Sequence, residues 1–165
     1  SDFKTEPETK AIKSVWMSQD FLNMLPNAPK ENQTNEFRIK TSKTTIQLFG
    51  QSIDITFDPD EVGEELTKFI ENINRQLNWI NLNKSAIDQT LIRDLLELKN
   101  SSWLSENEIA LTKQEFLNRI KLLSINFFED SSFELFFDDG NIFAGHSILL
   151  SIDPDPKIQE ATIVG

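Results

Sequence analysis

The spacing of apolar residues changes character three times along the chain, and each change marks a different kind of element. Ile12, Val15, Trp16, Leu22 and Leu25 recur at helical spacing, which predicts an amphipathic helix over residues 10–25. The polar, proline-bearing run 26–35 follows and separates an N-terminal extension, residues 1–35, from a body spanning 36–165. From Phe37 the period becomes two. Phe37 and Ile39, then Ile46 and Leu48, then Ile53, Ile55 and Phe57 predict strands within 37–57, with a tight turn at residues 49–52.

Helical spacing returns at Asp58, which is placed to cap a helix with Pro59 at its first position and Glu61 reaching back. Val62, Leu66, Phe69, Ile70, Ile73, Leu77 and Ile80 then build one apolar stripe, so a helix is predicted over 59–82. Ser85 with Asp88 and Thr112 with Glu115 repeat the start signal. They predict a second helix over 86–99, with Ile87, Leu91, Ile92, Leu95 and Leu98 on one face, and a third over 113–124, with Phe116, Leu117, Ile120 and Leu123. Between them the polar run 100–103 breaks the pattern, and Trp103 is expected to plug the join. Alternation resumes over about 125–164 through Ile125, Phe127, Phe133, Leu135, Phe137, Ile148, Leu150, Ile152 and Ile163, with residues 138–141 as a turn. Strands, helices, then strands make an α+β domain: a mostly antiparallel sheet with three consecutive helices packed on one face.

Composition narrows what such a domain does. A length of 165 residues suits one domain with a real core, and the absence of cysteine excludes disulfides and thiolate metal sites and fits a cytoplasmic location. No apolar run reaches membrane-spanning length and the first 30 residues lack a signal-peptide pattern, although a start at Ser1 leaves room for a leader removed upstream. The net charge of −11 disfavours direct binding to nucleic acid, which calls for basic stripes. Its excess is concentrated. Residues 54–65 hold Asp54, Asp58, Asp60, Glu61, Glu64 and Glu65 without a Lys or Arg, and residues 126–160 hold eight acids, Glu129, Asp130, Asp138 and Asp139 among them, against Lys157 alone. Two readings are open: solvated faces and turns that keep the chain dispersed, or one acidic surface offered to a basic protein partner. On the second reading Asp54 to Glu65 and Glu129 to Asp155 supply the partner-facing residues.

The segment 137–148 gathers the only histidine, His146, beside Asp138, Asp139, Gly140, Asn141, Phe143, Gly145 and Ser147. A metal site built on His146 with Asp138 or Asp139 is short of the three or four ligands zinc normally takes, and the acids do not alternate as in a calcium loop. A Ser147 nucleophile is poorly served by His146, since neighbours on a strand point to opposite faces. The ordinary reading assigns these residues to a turn, with Gly145 at a bulge and His146 hydrogen-bonded to loop carbonyls or carboxylates. Walker, dinucleotide-binding, His-Glu-x-x-His and Gly-x-Ser-x-Gly patterns are missing, and the pairs Glu64-Glu65 and Glu129-Asp130 are what an acidic chain produces by chance. No residue is assigned a catalytic, cofactor-binding or metal-binding role. The thirteen Phe and three Trp fall mostly at core periodicity and read as packing.

Three stretches carry a family resemblance: residues 96–103, Leu-Glu-Leu-Lys-Asn-Ser-Ser-Trp; residues 115–120, Glu-Phe-Leu-Asn-Arg-Ile; and the run from Phe133 through Asp138-Asp139-Gly140, Phe143 and Gly145-His146-Ser147-Ile148 to Ile163-Val164-Gly165. Through them the chain from about Phe37 onward resembles the bacterial family called domain of unknown function 2262. The resemblance carries over no catalytic residue. Members of that family look similar, in size and gene company, to the immunity proteins of contact-dependent inhibition and type VI secretion systems. The resulting expectation is a cytoplasmic immunity protein or antitoxin that blocks a basic toxin by stoichiometric binding. The alternatives are a bacterial binding or homodimerisation domain with a non-toxin partner, and an enzyme centred on His146 with Asp138 and Asp139.

Overall fold

The computed structural model describes residues 42–165 apart from Glu64, so the extension 1–35 with its predicted helix, and the alternation at Phe37 and Ile39, lie outside the described residues. Six strands form one sheet in chain order: β1 (Ser42–Leu48), β2 (Gln51–Phe57), β3 (Lys121–Phe127), β4 (Phe133–Asp138), β5 (Ser147–Ile152) and β6 (Ile158–Val164). Neighbours are antiparallel except β2 and β3, which run parallel. A parallel pair needs a long crossover, and the whole helical segment lies in this one connection. The fold is therefore α+β, with a mostly antiparallel sheet.

Strand alternation decides what is buried. Ile55, Ile125, Leu135, Leu150 and Ala161 stand opposite one another across five strands and are all buried. One step along, Thr56, Asn126, Glu134 and Ser151 align on the other face and are only partly covered. The side-chain period of two makes this division unavoidable once the register is set. The core side is rich in phenylalanine and branched aliphatics, each worth roughly 1.5–3 kcal/mol when fully buried.

The helices differ from expectation at their ends. The first breaks at Gly63, whose φ of 63° stops α1 (Pro59–Val62), and helix resumes as α2 (Leu66–Leu82). The stripe of α2 buries Phe69, Ile73, Leu77 and Ile80, and it meets the core side of the sheet through edge-on contacts of Phe69 with Phe57 (5.1 Å) and Trp79 with Phe133 (6.1 Å). The second helix is longer than predicted. It starts at Lys84, where Ser85 is inside the helix rather than its cap, and α3 (Lys84–Leu91) passes through a π turn at Ile92–Leu96 into α4 (Glu97–Ser102). The third, α5 (Lys113–Arg119), opens on the full Thr112–Glu115 capping box but stops before residue 120, because Ile120 is already extended and β3 begins at Lys121. Leu123 is the extra residue of a bulge in β3, exposed beside the buried Leu122, which is why the run from 116 to 123 imitates a helical stripe.

Candidate functional site

The distinctive segment 138–146 connects β4 to β5, and its centre is Asp139. That side chain is 1 % exposed. Its Oδ1 accepts the backbone N–H of Asn141 (2.8 Å), while Oδ2 accepts those of Phe143 (2.8 Å) and Gly145 (2.9 Å). A carboxylate that satisfies three loop donors is doing what helix or sheet partners do elsewhere. Asp139 was counted above among partner-facing acids, and burial removes it from that role. Gly140, at φ 58°, passes so close to Arg119 that any Cβ would collide with the Arg119 carbonyl, and the Arg119 guanidinium donates to the Gly140 carbonyl at 2.7 Å. The turn is thus longer than residues 138–141 and is locked from within.

His146 is partly buried, and its Nδ1 donates to the Phe143 carbonyl at 2.7 Å, which fixes the tautomer because a carbonyl only accepts. Trp103 packs edge-on against both Phe143 (5.5 Å) and His146 (5.6 Å), so it plugs the β4–β5 loop rather than a join between helices. Asp138 and Ser147 are exposed, and among the described residues the carboxylate of Asp138 accepts only the Gly140 N–H, at 3.2 Å. Neither aspartate oxygen reaches the imidazole. Among the described residues no three of His, Cys, Asp or Glu gather as a metal-binding group.

Sequence reasoning overlooked Lys99. Its side chain is almost wholly buried, and Nζ donates to the Trp103 carbonyl (2.7 Å) and to Glu108 Oε2 (2.8 Å). Lys99, followed by the Ser105 N–H, holds the Glu108 carboxyl below its usual range. Asn100 clamps Leu111 from both sides, donating to its carbonyl and accepting its N–H. A signal was present: the buried stripe Ile87, Leu91, Leu95 steps by four straight to Lys99. The stretches 96–103, 115–120 and 133–148 therefore meet at one corner, where their conspicuous residues fasten loops.

The acidic segments meet elsewhere. Glu61, Glu65, Glu71 and Glu129 line one groove of about 440 Å³ with Lys68 and Arg75, over a floor that includes Val62 and Phe69. All four carboxylates are exposed. The β3–β4 turn is held against α2 by Asn72 donating to Ser131 Oγ (2.8 Å) and by Gln76 donating to the Ser131 carbonyl. Glu61 also borders a second groove, of about 480 Å³, with Asp58, Asn126 and Phe136. The other acids are dispersed. Asp58 caps α1 through the Asp60 N–H, Asp60 is exposed on that turn, and Glu64 lies outside the described residues. Asp130 is held below its usual range by the Ser132 hydroxyl and N–H, which it fastens into the turn. Asp54 accepts from Thr45 across the β1–β2 hairpin at the sheet edge. Asp138 stands at the far end of β4 from Glu129, roughly 20 Å away at strand rise. The expected single acidic surface is reduced to the groove around Glu61, Glu65, Glu71 and Glu129.

The model of a bacterial family described as "Uncharacterized protein conserved in bacteria (DUF2262)" matches residues 34–163, and the chain belongs to that family. No curated protein and no solved structure matches it. Among the described residues no helix is long and apolar enough to cross a membrane.

Proposed function

We propose that this member of the family is a binding protein that neutralises a cognate secreted toxin in the cytoplasm of the producing cell by stoichiometric occupancy, seating a basic segment of the toxin in the Glu61–Glu65–Glu71–Glu129 groove. The observation that carries the reading is the state of these carboxylates: exposed, convergent, and not spent on backbone donors as Asp139 is. Glu65 has a cation within reach in Lys68, but at 3.7 Å with both side chains largely exposed this pair is worth little and yields readily to a partner. A chain of net charge −11 also draws a basic partner in quickly. The resemblance in size and gene company to immunity proteins supplies the toxin, by analogy.

Homodimerisation through the β6 edge is less favoured. Asp94 accepts the Ala161 N–H at 2.8 Å and so covers a donor that an added strand would need. The test is capture of the partner with tagged full-length protein from its own bacterium, followed by co-expression of that partner. A basic, growth-arresting domain bound one to one, whose toxicity disappears on co-expression, supports the proposal. A partner without toxicity, or toxicity that persists, contradicts it.

A further inference from the structure

The groove of about 480 Å³ opens on the face of the sheet opposite the core, at the end where the described chain begins. Phe128 and Phe136 line it, both partly exposed and neither among the apolar residues that pack against the core. Asp58 and Glu61 border it, and among the described residues that line it no Lys or Arg occurs. Half-covered rings under an acidic rim suit an occupant that alternates apolar with basic side chains.

The entry of the chain into the sheet supplies such an occupant. Ser42, the first residue of β1, pairs with Phe57, which also lines the groove. Just before it, residues 37–40 read Phe-Arg-Ile-Lys and lie inside the span 34–163 that matches the family. β1 buries Thr44, Ile46 and Leu48, so its alternation carried back past Ser42 turns Phe37 and Ile39 away from the core, to the side that holds the groove. The distances agree. From Ser42 the chain reaches roughly 10 Å by Ile39 and roughly 17 Å by Phe37, while β3 and β4 lie roughly 10 and 14 Å from β1. Phe128 follows β3 and Phe136 is in β4.

We propose that residues 37–40 seat in this groove of their own chain, with Phe37 and Ile39 covering the rings of Phe128 and Phe136 and with Arg38 and Lys40 meeting Asp58 and Glu61. In an extended segment the basic side chains start on the opposite side from the apolar ones, and their long stems reach back to the rim. The short tether at Ser42 holds the segment at an effective concentration in the millimolar range, which a second copy or a separate protein does not match at ordinary concentration. The inference does not rest on the toxin-binding reading.

The test is nuclear magnetic resonance on the isotope-labelled full-length protein. Nuclear Overhauser effects are expected from the Phe37 ring and the Ile39 methyl groups to the rings of Phe128 and Phe136, and they should persist on dilution. A mixture of labelled and unlabelled chains separates contacts within one chain from contacts between copies. Phe37→Ser with Ile39→Ser should abolish these contacts, move the amide signals of Thr56, Asn126 and Phe136 while leaving those of β5 and β6 in place, and lower the melting temperature by about 4 °C. Arg38→Gln with Lys40→Gln should move the same three signals in the same direction by less, and added salt should mimic it. Contacts that are missing, that join Phe37 and Ile39 to another part of the surface, or that form only between copies overturn the proposal. So does a double serine variant whose groove signals do not move.

Discussion

The β4–β5 loop and the groove beside α2 are both built on carboxylates, all but Glu71 drawn from the two acidic stretches of sequence, and they use them in opposite ways. In the loop, Asp139 turns inward and accepts the N–H groups of Asn141, Phe143 and Gly145, so its charge is consumed by the backbone. In the groove, Glu61, Glu65, Glu71 and Glu129 turn outward. The loop is the conspicuous motif and the groove has none. A distinctive pattern here marks where the chain is hard to fold, because a loop that turns on Gly140 and buries Phe143 must find partners for its donors. A binding face asks only for charge in roughly the right place, and many sequences provide that.

Removing the inward carboxylate is the harshest test of this contrast. Asp139→Ala removes a carboxylate that is 1 % exposed and leaves three donors without it, the Phe143 N–H in a buried position, and should cost about 3–5 kcal/mol in urea unfolding. A loss below about 1 kcal/mol would mean that the loop does not depend on Asp139. Gly140→Ala should follow at about 2 kcal/mol or more, since the new Cβ meets the Arg119 carbonyl and φ is positive. His146→Ala loses the bond to Phe143 and the Trp103 contact and should cost about 1–2 kcal/mol. A thermally silent substitution would move His146 to the functional side of the comparison.

Asp94 extends the inward class to a helix. The Arg93 side chain first, and the Ala161 N–H after it, hold its carboxyl below the usual range. A carboxyl with a lowered folded-state pKa stabilises fully above its unfolded value of about 4 and loses that contribution as pH falls through the folded value. Asp94→Asn should therefore cost about 1 kcal/mol at pH 7, and the gap from the unaltered protein should close as pH drops below about 4. A gap that is constant with pH would show that the charge of Asp94 contributes nothing. The outward class should behave differently. Glu61→Gln, Glu65→Gln, Glu71→Gln and Glu129→Gln should each change stability by no more than about 0.5 kcal/mol.

Much of this molecule was legible in its sequence where one period dominates. The stripe Phe69, Ile73, Leu77, Ile80 and the alternations Ile53, Ile55, Phe57 and Phe133, Leu135, Phe137 are all buried as their spacing requires, and the Thr112–Glu115 box starts its helix. Residues 116–123 misled because Phe116, Ile120 and Leu123 fit a helix while Ile120 and Leu122 fit a strand, and only sheet pairing decides between them. The parallel pairing of β2 with β3 has no local signature. The site was less legible. Asp138 and Asp139 are chemically identical neighbours, and which one is buried depends on where three N–H groups point. Lys99 was readable from its place in the stripe, but its partner Glu108 lies nine residues on, across an irregular loop.

The separation of roles is tested most directly by association kinetics with the captured partner. The variant carrying Glu61→Gln, Glu65→Gln, Glu71→Gln and Glu129→Gln together should unfold at the same urea concentration as the unaltered protein. In stopped flow it should bind about tenfold more slowly at 0.1 M salt, with dissociation little changed, and the difference should shrink as salt rises. An association rate that is insensitive to both the four substitutions and salt would contradict the assignment of binding to this groove.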